Sequence, residues 1–187
     1  MNLEDQLATL RALGLELAPG ITIDDVLYSF PRESYEAKPF DLVLFILGAE
    51  VEREPWGRRF STSVWSFDTE CIDDGDAYVK IAQHLCRVAG RPDAFSDVRG
   101  HVDVEAGEAW IEYLLEGTHR RWDAEVNDDW ADMLTVAYMM GDLERDGRKF
   151  RAKDNGQAMV LYYLNDADAC RLSELAGEKL TTVTDPE

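Results

Sequence analysis

Apolar residues crowd the stretch from Asp128 to Leu143: Trp130, Ala131, Met133, Leu134, Val136, Ala137, Tyr138, Met139, Met140 and Leu143. They cover most of a helical circumference rather than one stripe, and a helix of that kind is expected to be buried from several sides. The pattern therefore predicts a central core helix, with Asn127 or Asp128 as N-cap and Gly141 interrupting the last turn. Asp128, Asp129 and Asp132 place negative charge at the positive end of its dipole. At about 16 residues the stretch is too short, and too acidic, to cross a bilayer.

Elsewhere the periods alternate between helix and strand. Leu3, Leu7, Leu10 and Leu13 fall at helical spacing, with Asn2 able to cap and Gly14 able to stop the turn. Thr22 and Asp25 form a capping-box pair opening a short helix that ends before Pro31. The apolar run from Leu42 to Leu47 fits a buried strand or the end of a helix closed by Gly48, and the helix is the favoured reading. These elements make residues 1 to about 50 a helical N-terminal portion.

Arg59 to Ile72, rich in Phe, Thr, Val and Trp, predicts one strand or two with a bend, placing Trp65, Phe67 and Cys71 on one face. Asp73 to Asp76 make a turn that caps a helix carrying Tyr78, Ile81, Ala82, Leu85, Val88 and Ala89 as its apolar stripe, with Gly90 at its end.

From Val98 the period becomes two. Val98, Gly100, Val102 and Val104 alternate with Arg99, His101, Asp103 and Glu105; a second strand covers Ala109 to Leu115 and a third Thr118 to Val126. This predicts an antiparallel meander with one packed and one wet face, the core helix covering the packed one. Asn155-Gly156 between two strand-like runs predicts a C-terminal hairpin. A last helix, capped by Asp166 or Asp168 and ended by Gly177, leads to a polar, loose tail over about 178–187. Helices and antiparallel strands in blocks indicate an α+β fold in a single domain, an antiparallel sheet packed against helices.

Charge narrows the function classes. With 38 acidic against 19 basic side chains the net charge is -19, a surface that repels nucleic acid and anionic membrane and accelerates encounter with a basic partner. Cys71, Cys86 and Cys170 are too scattered for a disulfide framework or a zinc site and are expected to be reduced and partly buried. The N-terminus lacks a basic region followed by an apolar run, which gives the expectation of a cytoplasmic protein without a signal peptide.

The candidate chemistry is sparse. Asp68, Glu70, Asp73, Asp74 and Asp76 do not make an EF-hand loop, because the third alternate position is Ile72 and the twelfth residue is Val79. His101, Asp103 and Glu105 share one face of the predicted strand, a spacing that could serve a divalent ion or an acid–base pair. His84 shares a helix face with Lys80 and Arg87 and is expected to be exposed; His119 has no recognisable role. The one basic cluster, Arg145, Arg148, Lys149, Arg151 and Lys153, reads as a solvated hairpin. No nucleophile elbow or phosphate loop is present, and no catalytic residue, cofactor or metal is assigned.

The acidic wet face of the meander remains. Trp110 falls on the side of Glu112, in register with Asp103, Glu105, Arg121, Asp123 and Glu125, with Asp68 and Glu70 on the earlier strand as further acidic contacts. An aromatic anchor in a carboxylate field suits a basic protein partner. In size, acidity, missing signal peptide and lack of a catalytic motif the chain resembles the bacterial immunity proteins, small acidic α+β inhibitors of toxin domains, without sharing a residue pattern with them. That resemblance implies a non-enzymatic inhibitor of a basic, nuclease-like toxin. The alternative is an enzyme using a carboxylate and histidine metal site.

Overall fold

The computed structural model describes residues 1–184. Four helices come first: α1 (Leu3–Arg11), α2 (Ile23–Ser29), α3 (Arg32–Ala37) and α4 (Asp41–Leu47). They are followed by β1 (Val64–Asp68), α5 (Ala77–Val88), β2 (Phe95–Asp103), β3 (Glu108–Leu115), β4 (Thr118–Asp123) and α6 (Met133–Leu143). The chain continues through β5 (Arg148–Asn155), β6 (Ala158–Asn165), α7 (Asp166–Ala176) and β7 (Thr181–Thr182). The fold is α+β, as expected, with two antiparallel sheets: β1-β6-β5-β7, which holds the C-terminal hairpin, and β2-β3-β4, the meander. No helix among the described residues is long and apolar enough to cross a membrane.

The larger sheet is covered on both faces. Alternate residues of β6 serve two cores: Val160, Tyr162 and Leu164 pack with α1, α4 and α7, while Leu161 and Tyr163 pack with α5, α6 and the meander. A strand buried on both sides reads as a continuous apolar run, which is what Met159 to Leu164 is. Helix α5 lies between the sheets, against β1 and β6 on one side and β2 and β3 on the other. Seven of its 12 residues are buried. Burial of each large apolar side chain contributes about 1.5–3 kcal/mol, so this double-sided helix is the main seam of the molecule.

Local signals set the N-terminal layer. The Asn2 side chain accepts from the Asp5 N–H at 2.7 Å and starts α1. Asp25 is buried, and its carboxylate accepts from the Thr22 N–H at 2.8 Å and from the Arg53 and Arg58 guanidinium groups at 2.9 and 3.1 Å. The backbone donor and the two arginines outweigh burial and pull its pKa down to about 2.

Several expectations are corrected. The strand in 59–72 is only Val64–Asp68, because its partner β6 begins at Ala158, opposite Asp68; beyond it there remain a single bond from the Thr69 N–H to the Gln157 carbonyl at 3.3 Å and an isolated bridge at Glu70. The helix expected from Asp128 begins at Met133, capped by the Asp132 carboxylate on the Leu134 N–H at 3.0 Å. Residues before it are committed to backbone bonds with the end of β1 instead, and Gly141 lies inside the helix without stopping it. The hairpin turns on Gly156 and Gln157, one residue later than Asn-Gly, since Asn155 pairs with Ala158. Asn165 caps α7, its side chain accepting from the Asp168 N–H at 2.8 Å, rather than Asp166 or Asp168.

The expected loose tail instead buries Leu180 and adds Thr181 and Thr182 to the edge of the sheet; residues 185–187 of it lie outside the described residues. Cys86 is buried, Cys71 half-buried and Cys170 exposed, the last against expectation. His84 is not on an open surface either. Its ring stacks on Trp65 with centroids 4.5 Å apart, between Arg59 and Arg87.

Candidate functional site

The connection from β4 to α6 is laid along the end of β1. Ala131 N–H donates to the Thr69 carbonyl at 2.8 Å, and Ile72 N–H donates to the Asp129 carbonyl at 2.9 Å. Asp128 adopts the left-handed region at φ 52°, which Asp tolerates better than most residues. These bonds bury Ala131 and turn Trp130 outward, where 38% of it remains exposed. Trp130 and Glu70 form an isolated bridge, so the acidic end of β1 and the tryptophan are neighbours.

Helix α6 carries further exposed apolar side chains. Val136, Met139, Met140 and Leu143 are its inward stripe, which leaves Leu134 53% and Tyr138 44% exposed, one turn apart on the outer side. The Tyr138 ring stacks on Trp122 at 4.5 Å. Trp122 is held in turn by its Nε1 donating to the Tyr113 hydroxyl at 3.0 Å, and that hydroxyl donates to Asp142 at 2.7 Å. Burial, reinforced by the Asp142 carboxylate, pushes the Tyr113 phenol up, so it stays a proton donor. The outcome is an aromatic stack held in place by hydrogen bonds.

Carboxylates border it. Glu70, Glu125, Asp128 and Asp129 are exposed and form no ion pair among the described residues. Glu70 accepts from the Gln157 amide at 2.8 Å, and Asp68 accepts from the Glu70 N–H at 3.0 Å. Lys80 is the nearby cation, and it is committed to Asp74 at 2.5 Å and Asp73 at 3.7 Å. The carboxylates stand apart: among the described residues no three His, Cys, Asp or Glu side chains are grouped to hold a metal ion.

The meander's wet face differs from its expected character. Trp110 is on that face with Glu112, as the alternation requires, paired to His101 and Asp123 across the ladder. The Arg121 guanidinium covers its ring at 4.3 Å from the centroid and reaches Glu112 at 3.4 Å and Asp123 at 3.3 Å. His119 lies 3.4 Å from the same Glu112. This is a laced surface, with Arg121 reaching both Glu112 and Asp123, in which the anchor is already occupied.

His101, Asp103 and Glu105 do not converge. Strand β2 ends at Asp103, whose carboxylate accepts from the Ala106 N–H at 2.9 Å, and Glu105 lies in the turn beyond. Of the residues the sequence singled out, the structure brings Asp68, Glu70 and Glu125 to the new surface and leaves Trp110, Glu112, Arg121 and Asp123 on the laced one. Trp130, Leu134 and Tyr138 were missed because a helix apolar all round was expected to be buried. The stripe at 136, 139, 140 and 143 was the available signal that 134 and 138 face away.

No protein-family model matches the chain, and neither a curated protein nor a solved structure is significantly similar to it.

Proposed function

We propose that this protein is a non-enzymatic binder of the immunity type, which occludes a basic, toxin-like protein partner through the surface of Trp130, Leu134 and Tyr138. The observation that carries this reading is the exposure of Trp130, Leu134 and Tyr138 in and just before α6, with the Tyr138 ring braced on Trp122, while Glu70, Glu125, Asp128 and Asp129 form no ion pair among the described residues. Exposed aromatic and aliphatic side chains of this size supply the desolvated centre of an interface, where a few residues carry most of the affinity. The carboxylates, within a net charge of -19, attract a basic surface and raise the association rate. Asp68 belongs to the rim of that surface, and Trp110 and Asp123 to a secondary one.

The test is co-expression with the products of neighbouring reading frames, scoring growth and then co-elution. A neighbour that is toxic alone, harmless with this protein and found in a stoichiometric complex supports the reading; a set of harmless neighbours without a complex overturns it. In such a complex Trp130→Ala costs about 2 kcal/mol or more, roughly thirtyfold in Kd. Glu125→Lys with Asp128→Lys slows association at low salt without altering the fold.

A further inference from the structure

At the C-terminal end of α5 a cleft of about 140 Å³ is lined by Arg87, Arg148, Thr62, Ser63, Gly90 and Tyr163, among others. Neither Arg87 nor Arg148 forms an ion pair among the described residues; Arg148 lies over the Tyr163 ring at 5.9 Å. Carboxylates outnumber cations two to one in this chain, so an arginine without one is not explained by a shortage of acids.

Donors also exceed acceptors around Arg87. N–H groups of Arg59 and Arg87 face the two ring nitrogens of His84, Arg59 at 3.1 Å from Nε2. A neutral imidazole accepts at only one nitrogen, which leaves one of these donors unmatched. The Arg87 Nε is buried with no hydrogen-bond partner among the described residues. The single carboxylate of the cluster, Glu50, is committed to Arg59 at 2.8 Å. The α5 terminus does not fill the gap, because the carbonyls of Leu85, Cys86 and Arg87 are taken by the N–H groups of Ala89, Arg91 and Gly90. What the cluster lacks is an acceptor, and the cleft beside it is open to solvent.

We infer that this cleft binds a small tetrahedral oxyanion of the phosphate class, held by Arg87 and Arg148 with the Thr62 hydroxyl as a further donor. Planar guanidinium groups match the oxygens of such an anion in pairs. Its volume is below the roughly 300–1,000 Å³ of clefts that take larger ligands, which favours a single phosphate-sized group.

The probe is inorganic phosphate, titrated at millimolar concentrations into the whole protein, with sodium chloride at matched ionic strength as control and melting temperature as readout. A saturable rise in phosphate that chloride does not reproduce is expected, since an anion bound only by the native state stabilises it by mass action. Arg148→Gln, at an exposed position where folding is not at stake, weakens the apparent affinity by about tenfold or more. Arg87→Gln, checked for native circular dichroism, does the same, whereas Arg145→Gln in the turn before β5 leaves the titration unchanged. An equal rise in chloride, a rise that never saturates, or a titration unaltered by Arg148→Gln overturns the site.

Discussion

Helices α5 and α6 lie side by side in the gap between the two sheets, yet the fold uses them in opposite ways. Helix α5 carries Lys80, Gln83, His84 and Arg87 among its apolar residues but is covered from both sides, against β1 and β6 and against β2 and β3. Helix α6 is the more apolar by composition, yet only five of its 11 residues are buried: it touches the sheets at β4 and β5, and on its outer side Leu134 stays exposed and Tyr138 is covered in part by the Trp122 ring. Apolar content therefore does not rank helices by burial; the number of layers laid against them does. The surplus apolar surface of α6 is what makes it a candidate for contact with another protein.

The contrast is tested first by cavities. Leu85 in α5 is fully buried, and Leu85→Ala lowers stability by about 2–5 kcal/mol, while Leu134→Ala in α6 changes it by less than about 0.5 kcal/mol. Urea midpoints for the pair measure both. Equal losses would mean that the outer side of α6 is packed after all.

Acid is the next lever and acts on the α5 side. Burial first, then Arg59 and Arg87, lower the His84 pKa from 6.5 to about 3. Below 6.5 the unfolded chain takes up a proton that the folded one refuses, so stability falls as pH is lowered through the window from 6.5 toward 3. His84→Gln should flatten the loss seen between about pH 7 and about pH 5, as read by thermal melts. Asp25 contributes only lower down, its stabilisation present above its ordinary pKa of 3.8 and lost as pH falls toward about 2.

Caps give a smaller and more local contrast. Asp132 holds the start of α6 through the Leu134 N–H at 3.0 Å, the Thr135 hydroxyl at 2.8 Å and the Glu125 N–H at 3.2 Å. Asp76, at the start of α5, makes no side-chain cap bond. Asp132→Ala therefore costs about 1–2 kcal/mol and Asp76→Ala less than about 0.5 kcal/mol, measured by denaturant unfolding. The smallest effect is a gain. Gly141 sits inside α6 with no atom within 4 Å of an added Cβ, so Gly141→Ala stabilises by about 0.4–1 kcal/mol, visible as a raised melting temperature.

Much of the architecture was legible in single elements. The Asn2 cap, the Thr22 and Asp25 pair, the helix at Leu42 to Leu47, the meander from Val98 and the C-terminal hairpin were all readable, because each rests on residues within a few positions of one another. The alternation in β3 even placed Trp110 with Glu112 on the wet side. The candidate surface was less legible. Asp68, Glu70 and Glu125 were picked out by charge, but their apolar centre was assigned to the core, and Arg121, counted as part of the interface, turned out to cover Trp110.

Periodicity, capping and turn chemistry are local, and they suffice for the order and kind of the elements and for the α+β class. Exposure is not local. Whether Tyr138 is covered depends on whether another layer reaches the outer side of α6, and Glu70 meets Trp130 only because the loop before α6 bonds to the end of β1, 60 residues away in the chain. In the same way His84 has a helical neighbour in Arg87, but Trp65 and Arg59 reach it from a different part of the chain. Side-chain type set which surfaces could exist; the stacking of two sheets around α5 set which of them were left open.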